Sequence, residues 1–75
     1  MWKEGSIKVN GDIFHYWLKQ YDKGSEWGID GGRISKLMLK RNSEIVCNYD
    51  RGWDIEPPDE STQFALELLL HSENW

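Results

Sequence analysis

The pair Asn10-Gly11 constrains this chain more than any other feature. A two-residue type I′ turn requires left-handed backbone at both central positions, which Asn and Gly accept at low cost. On either side stand Ser6-Ile7-Lys8-Val9 and Ile13-Phe14-His15-Tyr16-Trp17-Leu18-Lys19-Gln20-Tyr21, runs that alternate as strands do. Residues 5–21 therefore read as an antiparallel hairpin. A two-residue turn sets Ile7 opposite Phe14 and gathers Ile7, Val9, Phe14, Tyr16 and Leu18 on one face. His15, Trp17 and Lys19 then occupy the other. A three-residue turn through Asp12 would invert the second strand, and the first register is preferred.

Residues 22–32 hold four glycines and cannot form a regular element cheaply, since glycine loses the most backbone freedom on ordering. They read as a loop, with room for a short extended piece at Trp27-Gly28-Ile29. The spacing does not fit a phosphate loop, which would need Gly-x-x-x-x-Gly-Lys-Ser/Thr between a strand and a helix. Residues 33–49 read as a second hairpin about Asn42-Ser43. Its first strand turns Leu37 and Leu39 inward and Lys36 and Lys40 outward, leaving Ile34 and Met38 on the lysine side. On its second strand either Val46 or the set Ile45, Cys47 and Tyr49 faces in, according to turn length; the larger set favours a three-residue turn.

Pro57 and Pro58 fix φ and remove two donors, ending the sheet within residues 50–58. Asp59 suits a helix N-cap and Glu60 the positive end of the helix dipole. A helix follows over 59–72, with Phe64, Ala65, Leu68 and Leu69 as its apolar stripe and Leu66 and Leu70 widening it. Residues 72–75 are expected to fray, with Trp75 able to dock. The sum is one α+β domain over residues 1–75: a four-stranded, mainly antiparallel sheet of two hairpins, in the simplest case in the order 1-2-3-4, with one C-terminal helix packed on one face.

Seventy-five residues make a small core, which five Trp, three Tyr and two Phe help to fill. A single cysteine, Cys47, excludes an internal disulfide. No signal-like segment or membrane-length apolar run is present, so a cytoplasmic setting with no membrane partner is expected. The net charge of −4 is unevenly spread. Residues 1–49 hold eight Lys/Arg against six Asp/Glu, whereas residues 50–75 hold Arg51 alone against seven acids.

Chemistry is sparsely signalled. His15, Cys47 and His71 lack ligand spacing, so no metal and no cofactor are expected. Cys47 lies mid-strand, where a small buried hydrophobe is usual. Asp50 and Asp54 could be an acid/base pair, but the two flank Arg51 and a turn, where carboxylates more often accept backbone N–H bonds or pair with Arg51 or Arg33. The expectation is a protein that is not an enzyme.

The densest cluster, Tyr49-Asp50-Arg51-Gly52-Trp53-Asp54, reads first as a structural corner. In that reading Tyr49 faces in, Gly52 permits the turn, Trp53 covers the core, and the charged residues tie the corner to the glycine loop through Arg33. Because Trp, Tyr and Arg dominate interface energetics, the leading reading is an interaction module that binds a protein or forms a homodimer through a sheet edge. Its surface would comprise Trp27, Arg33, Asp50, Arg51, Trp53 and Asp54. The runner-up is single-stranded nucleic-acid binding on a face holding His15, Trp17, Lys19, Lys36 and Lys40, against which the acidic balance counts.

The blocks Gly28-Ile29-x-Gly31-Gly32-Arg33-Ile34-Ser35-Lys36-Leu37 and Asn48-Tyr49-Asp50-Arg51-Gly52-Trp53-Asp54, with Trp2-Lys3-Glu4-Gly5, resemble a family of small uncharacterised proteins from Gram-positive bacteria and their phages. The resemblance implies a mobile-element or housekeeping accessory protein, bacterial or phage, of unknown function, and carries no site residue with it.

Overall fold

The chain turns back on itself at Asn10-Gly11 with φ of 50° and 84°, the left-handed pair that a type I′ turn demands. In the computed structural model, which describes residues 1–74, this turn joins β1 (Trp2–Val9) to β2 (Asp12–Gln20). Ile7 faces Phe14 across the ladder, the register that alternation favours. The strands continue as β3 (Ile34–Arg41), β4 (Glu44–Asp50) and β5 (Trp53–Ile55), followed by α1 (Glu60–Glu73). All neighbours are antiparallel and follow in chain order. The sheet thus has five strands where the sequence suggested four. The corner after Asp50 is tight enough for Trp53–Ile55 to fold back and pair with β4.

Two bulges decide which side chains reach the core. On β3, Lys36 stands opposite Lys19 but Ile34 stands opposite Gln20, so Ser35 is the extra residue. The slip turns Ile34 from the lysine side into the core, where it is fully buried. On β4 the turn has two residues, Asn42 and Ser43, with φ of 51° and 65°, and not the expected three. Ile45 pairs with Lys40 and Cys47 with Leu39, leaving Val46 as the extra residue. That bulge lets Val46, Cys47 and Tyr49 all be buried while Ile45 faces out. Simple alternation offers either Val46 or the other set, and a bulge gives a mixture of both.

Helix α1 lies across β1, β2 and β3. Asp59 caps it, its carboxylate accepting the Thr62 N–H at 2.8 Å. The buried line is Thr62, Ala65, Leu66 and Leu69. Phe64 and Leu68, expected in that line, are 52% and 41% exposed. Both ends of the helix are held against the sheet, and those holds fix its rotation. At the start, Arg41 Nη2 donates to Asp59 at 2.8 Å and Asn10 Nδ2 to Ser61 Oγ at 3.2 Å. At the end, Lys3 pairs with Glu73 at 2.6 Å and Gln20 Nε2 donates to the Glu73 carbonyl.

The last described residue does not fray. Asn74 is fully buried, donating through Nδ2 to the Ile29 carbonyl at 2.8 Å and accepting the Ile34 N–H at 2.8 Å. Its own carbonyl accepts the Arg33 N–H at 2.8 Å. The expectation for Trp75 falls outside the described residues. Residues 22–32 wrap around this carboxamide in turns and one 3-10 turn, Ile29–Gly31, with no extended piece at Trp27–Ile29. A methyl group on Gly28 would stand 1.8 Å from the Gly32 carbonyl oxygen, and one on Gly32 would stand 2.2 Å from Asn74 Nδ2. The glycines here are required by close approach of backbone to backbone and of backbone to Asn74.

Candidate functional site

With the helix on one side, the other side of the sheet has no layer over it among the described residues. Cross-strand partners share a face, so the ladders determine its contents. Trp17 stands between Glu4 and Met38, with Asn48 next in the row. On one side lies the row Ser6, His15, Lys40 and Ile45; on the other lies Trp2, Lys19, Lys36 and Asp50. The central strands β2 and β3 therefore present an apolar pair, Trp17 and Met38, between a His15/Lys40 row and a Lys19/Lys36 row. The two rows are four residues apart, about 13 Å along a strand. Trp2, Trp17, Met38 and Lys40 line one shallow depression here. His15, Trp17 and Lys40 help line another beside the Asn10-Gly11 turn.

Local electrostatics are set by the lysines. Lys19 Nζ lies 5.9 Å from the Trp2 ring centre and 5.4 Å from that of Tyr21, a bridge between two aromatic faces. Its hydrogen bonding to the Tyr21 hydroxyl, and then its charge, lower the Tyr21 pKa. Lys36 approaches Asp50 at 3.8 Å with both side chains well exposed, a contact of little strength in water. Asp50 shares this face with Lys36, but four of the seven acids of the second half lie elsewhere. Asp59, Glu60, Glu67 and Glu73 belong to the helix and its cap, on the opposite side. The sheet face is therefore more basic than the whole-chain charge suggests.

The corner assembles differently from expectation. Tyr49 is buried, and its hydroxyl donates to the Trp27 carbonyl at 3.0 Å, which joins the corner to the glycine loop. Trp53 packs edge-on against Tyr49 at 5.0 Å between ring centres, yet stays 40% exposed, so it covers the core only in part. Burial raises the pKa of the Tyr49 hydroxyl, with a further push from Asp30. Among the described residues the corner acids meet partners other than Arg33. Arg33 Nε donates to the Tyr21 carbonyl at 2.8 Å, Asp50 turns to Lys36, and Asp54 accepts from Asn48 Nδ2 at 3.2 Å. The left-handed residue of the turn is Arg51, φ 60°, and not Gly52. The Arg51 N–H donates to the Ser35 carbonyl at 3.0 Å, which anchors the corner to the first bulge.

Of the six residues Trp27, Arg33, Asp50, Arg51, Trp53 and Asp54, the fold brings Trp27 and Trp53 to one end through Tyr49 and disperses the polar four among separate partners. His15, Trp17, Lys19, Lys36 and Lys40, by contrast, all meet on two adjacent strands. Sequence reasoning missed Met38 as the partner of Trp17 and Trp2 as the neighbour of Lys19. The signal for Met38 was its place between Lys36 and Lys40 in strand alternation. Trp2 was hidden because β1 starts four residues earlier than the alternating run that begins at Ser6.

This architecture, a meander sheet with one face under a helix and the other bearing an aromatic-cationic block, defines a small α+β domain with an open sheet surface. The chain belongs to the family described as a domain of unknown function, DUF7678, whose model matches residues 1–74. No curated protein and no solved structure matches it. Among the described residues no helix is long and apolar enough to cross a membrane.

Proposed function

We propose that this domain is a non-enzymatic binding module that holds single-stranded nucleic acid on its open sheet face. The observation that carries the reading is the block on β2 and β3, in which Trp17 and Met38 lie between the His15/Lys40 and Lys19/Lys36 rows. An open antiparallel sheet with aromatics on its central strands is a stacking platform for unpaired bases, and flanking cations suit the phosphates on either side. The acidic helix on the far side does not face such a ligand. Cys47 offers no ready nucleophile. Burial alone raises its thiol pKa to about 12, leaving little of the thiolate that attacks.

The test is fluorescence anisotropy with a labelled oligothymidylate at low salt. Binding is expected, weakening steeply as salt rises because counterions are released from neutralised phosphates. Lys36→Glu with Lys40→Glu abolishes it, whereas Trp17→Ala weakens it with the salt slope unchanged. An absence of binding at low salt would sink the proposal.

A further inference from the structure

On the far side of the molecule, helix α1 buries Thr62, a polar residue, and leaves Phe64 and Leu68 outside. Covering a large apolar side chain is worth roughly 1.5–3 kcal/mol, so this rotation forgoes stability. The holds at Asp59 and Glu73 explain how the rotation is kept, and they do not explain why two large apolar residues occupy the outer flank. Phe64 and Leu68 are one helical turn apart and form a continuous strip. Glu60 and Glu67 flank Phe64 four residues before and three after, so the strip carries acids along the same flank. Pro57 and Pro58 form the opposite wall of a groove that Asp59, Glu60, Gln63, Phe64 and Glu67 complete. Asp59 is taken by Arg41. Glu60 and Glu67 form no ion pair among the described residues.

We infer that the Phe64/Leu68 flank of the helix is a docking site for a basic amphipathic helix of a partner protein, separate from the sheet face. An apolar strip lined by carboxylates that no cation of the described residues neutralises is complementary to a helix with apolar residues at i and i+4 and Lys or Arg beside them. Glu67 accepts a weak hydrogen bond from Gln63 Nε2 at 3.4 Å but meets no cation among the described residues, and the two acids are seven residues apart, about 10 Å along the axis, which matches cations spaced two turns apart on a partner helix. The same charges argue against other occupants. Two copies meeting flank to flank would oppose Glu60 and Glu67 with acids of the second copy. Surface-lying membrane helices carry Lys and Arg, not acids, at their edges, and phosphate chains are repelled.

The test uses the 15N-labelled full chain and a synthetic amphipathic helical peptide of Leu and Lys, with a Leu/Glu peptide of identical spacing as control. The Lys peptide is expected to bind, shifting amide resonances within residues 57–68, and the Glu peptide is not. Glu60→Lys with Glu67→Lys, and separately Phe64→Ser with Leu68→Ser, each weaken binding by about tenfold or more while the circular dichroism spectrum shows the fold retained. Trp17→Ala leaves it unchanged, so the result is independent of any nucleic-acid binding. Shifts centred on the sheet face, equal binding by the variants, or no binding would each overturn the inference. So would concentration-dependent self-association that Phe64→Ser with Leu68→Ser removes, because it would give the flank to a second copy.

Discussion

The Asn74 side-chain oxygen accepts the Ile34 N–H at 2.8 Å, across forty residues of chain, while its Nδ2 reaches the Ile29 carbonyl. One carboxamide thus completes the pairing of two buried backbone groups that the glycine loop leaves open. Asn74→Ala removes both partners at once. Each orphaned group costs about 1–3 kcal/mol, so a urea titration should show a loss of several kcal/mol, with early exchange of the amides in 29–34. A loss below about 1 kcal/mol would mean that water replaces the side chain.

Two glycines make a controlled pair. Gly28→Ala drives a methyl into the Gly32 carbonyl, a backbone clash that the loop cannot relieve locally. Gly52→Ala meets nothing within 4 Å and lies outside the left-handed region. Melting curves should show a large loss for the first and a change within about 0.5 kcal/mol for the second.

Ser43 holds φ of 65° in the second turn, where the first turn has Gly11. A left-handed L-residue costs roughly 1–2 kcal/mol, of which glycine's extra chain entropy returns part. Ser43→Gly should therefore stabilise the protein by about 0.5–1 kcal/mol, seen as a higher denaturation midpoint at constant slope.

Acid should weaken the hold at the start of the helix. The Arg41 hydrogen bond, followed by the Thr62 N–H, keeps the Asp59 carboxyl well below the ordinary carboxylate range. A group depressed on folding adds stability that is complete above its unfolded value of about 4 and is lost as pH falls through the folded value. Asp59→Asn should lower stability at pH 7 and flatten the decline below pH ~4, measured by urea titration across pH. An unchanged acid slope would refute the assignment.

Cys47 provides a reporter of opening. Its thiol is fully buried and raised to about 12, so a thiol-reactive reagent at pH 8 should label it only through unfolded molecules. The labelling rate should follow the unfolding equilibrium as urea is added. Rapid labelling of native protein would contradict the burial of β4.

The meander, the first turn and the helix cap were legible because each rests on local chemistry: Asn10-Gly11, the two prolines, Asp59. What escaped reading was set by geometry between distant residues. Ile34 and Val46 enter the core through bulges, which break the period of two without leaving a residue-type signature. Phe64 and Leu68 face out because contacts at Arg41 and Gln20 fix the rotation of a helix whose apolar arc is wider than the sheet covers. For the site, alternation alone located His15, Trp17, Lys19, Lys36 and Lys40 on a common side. It could not show that Asp54 turns to Asn48, or that the Tyr49 hydroxyl fastens the corner to the loop.

The burial of Asn74 also orders events in time. Until residue 74 has left the ribosome, the loop at 29–34 lacks the partner that closes it, however early the first hairpin pairs. The meander can form progressively from short-range contacts, but the last closure joins residues 45 positions apart, a step whose chain-entropy cost slows it. A nascent chain would therefore carry a paired sheet with its glycine loop unlatched, and become resistant to proteases at that loop only after its final turn of helix is made.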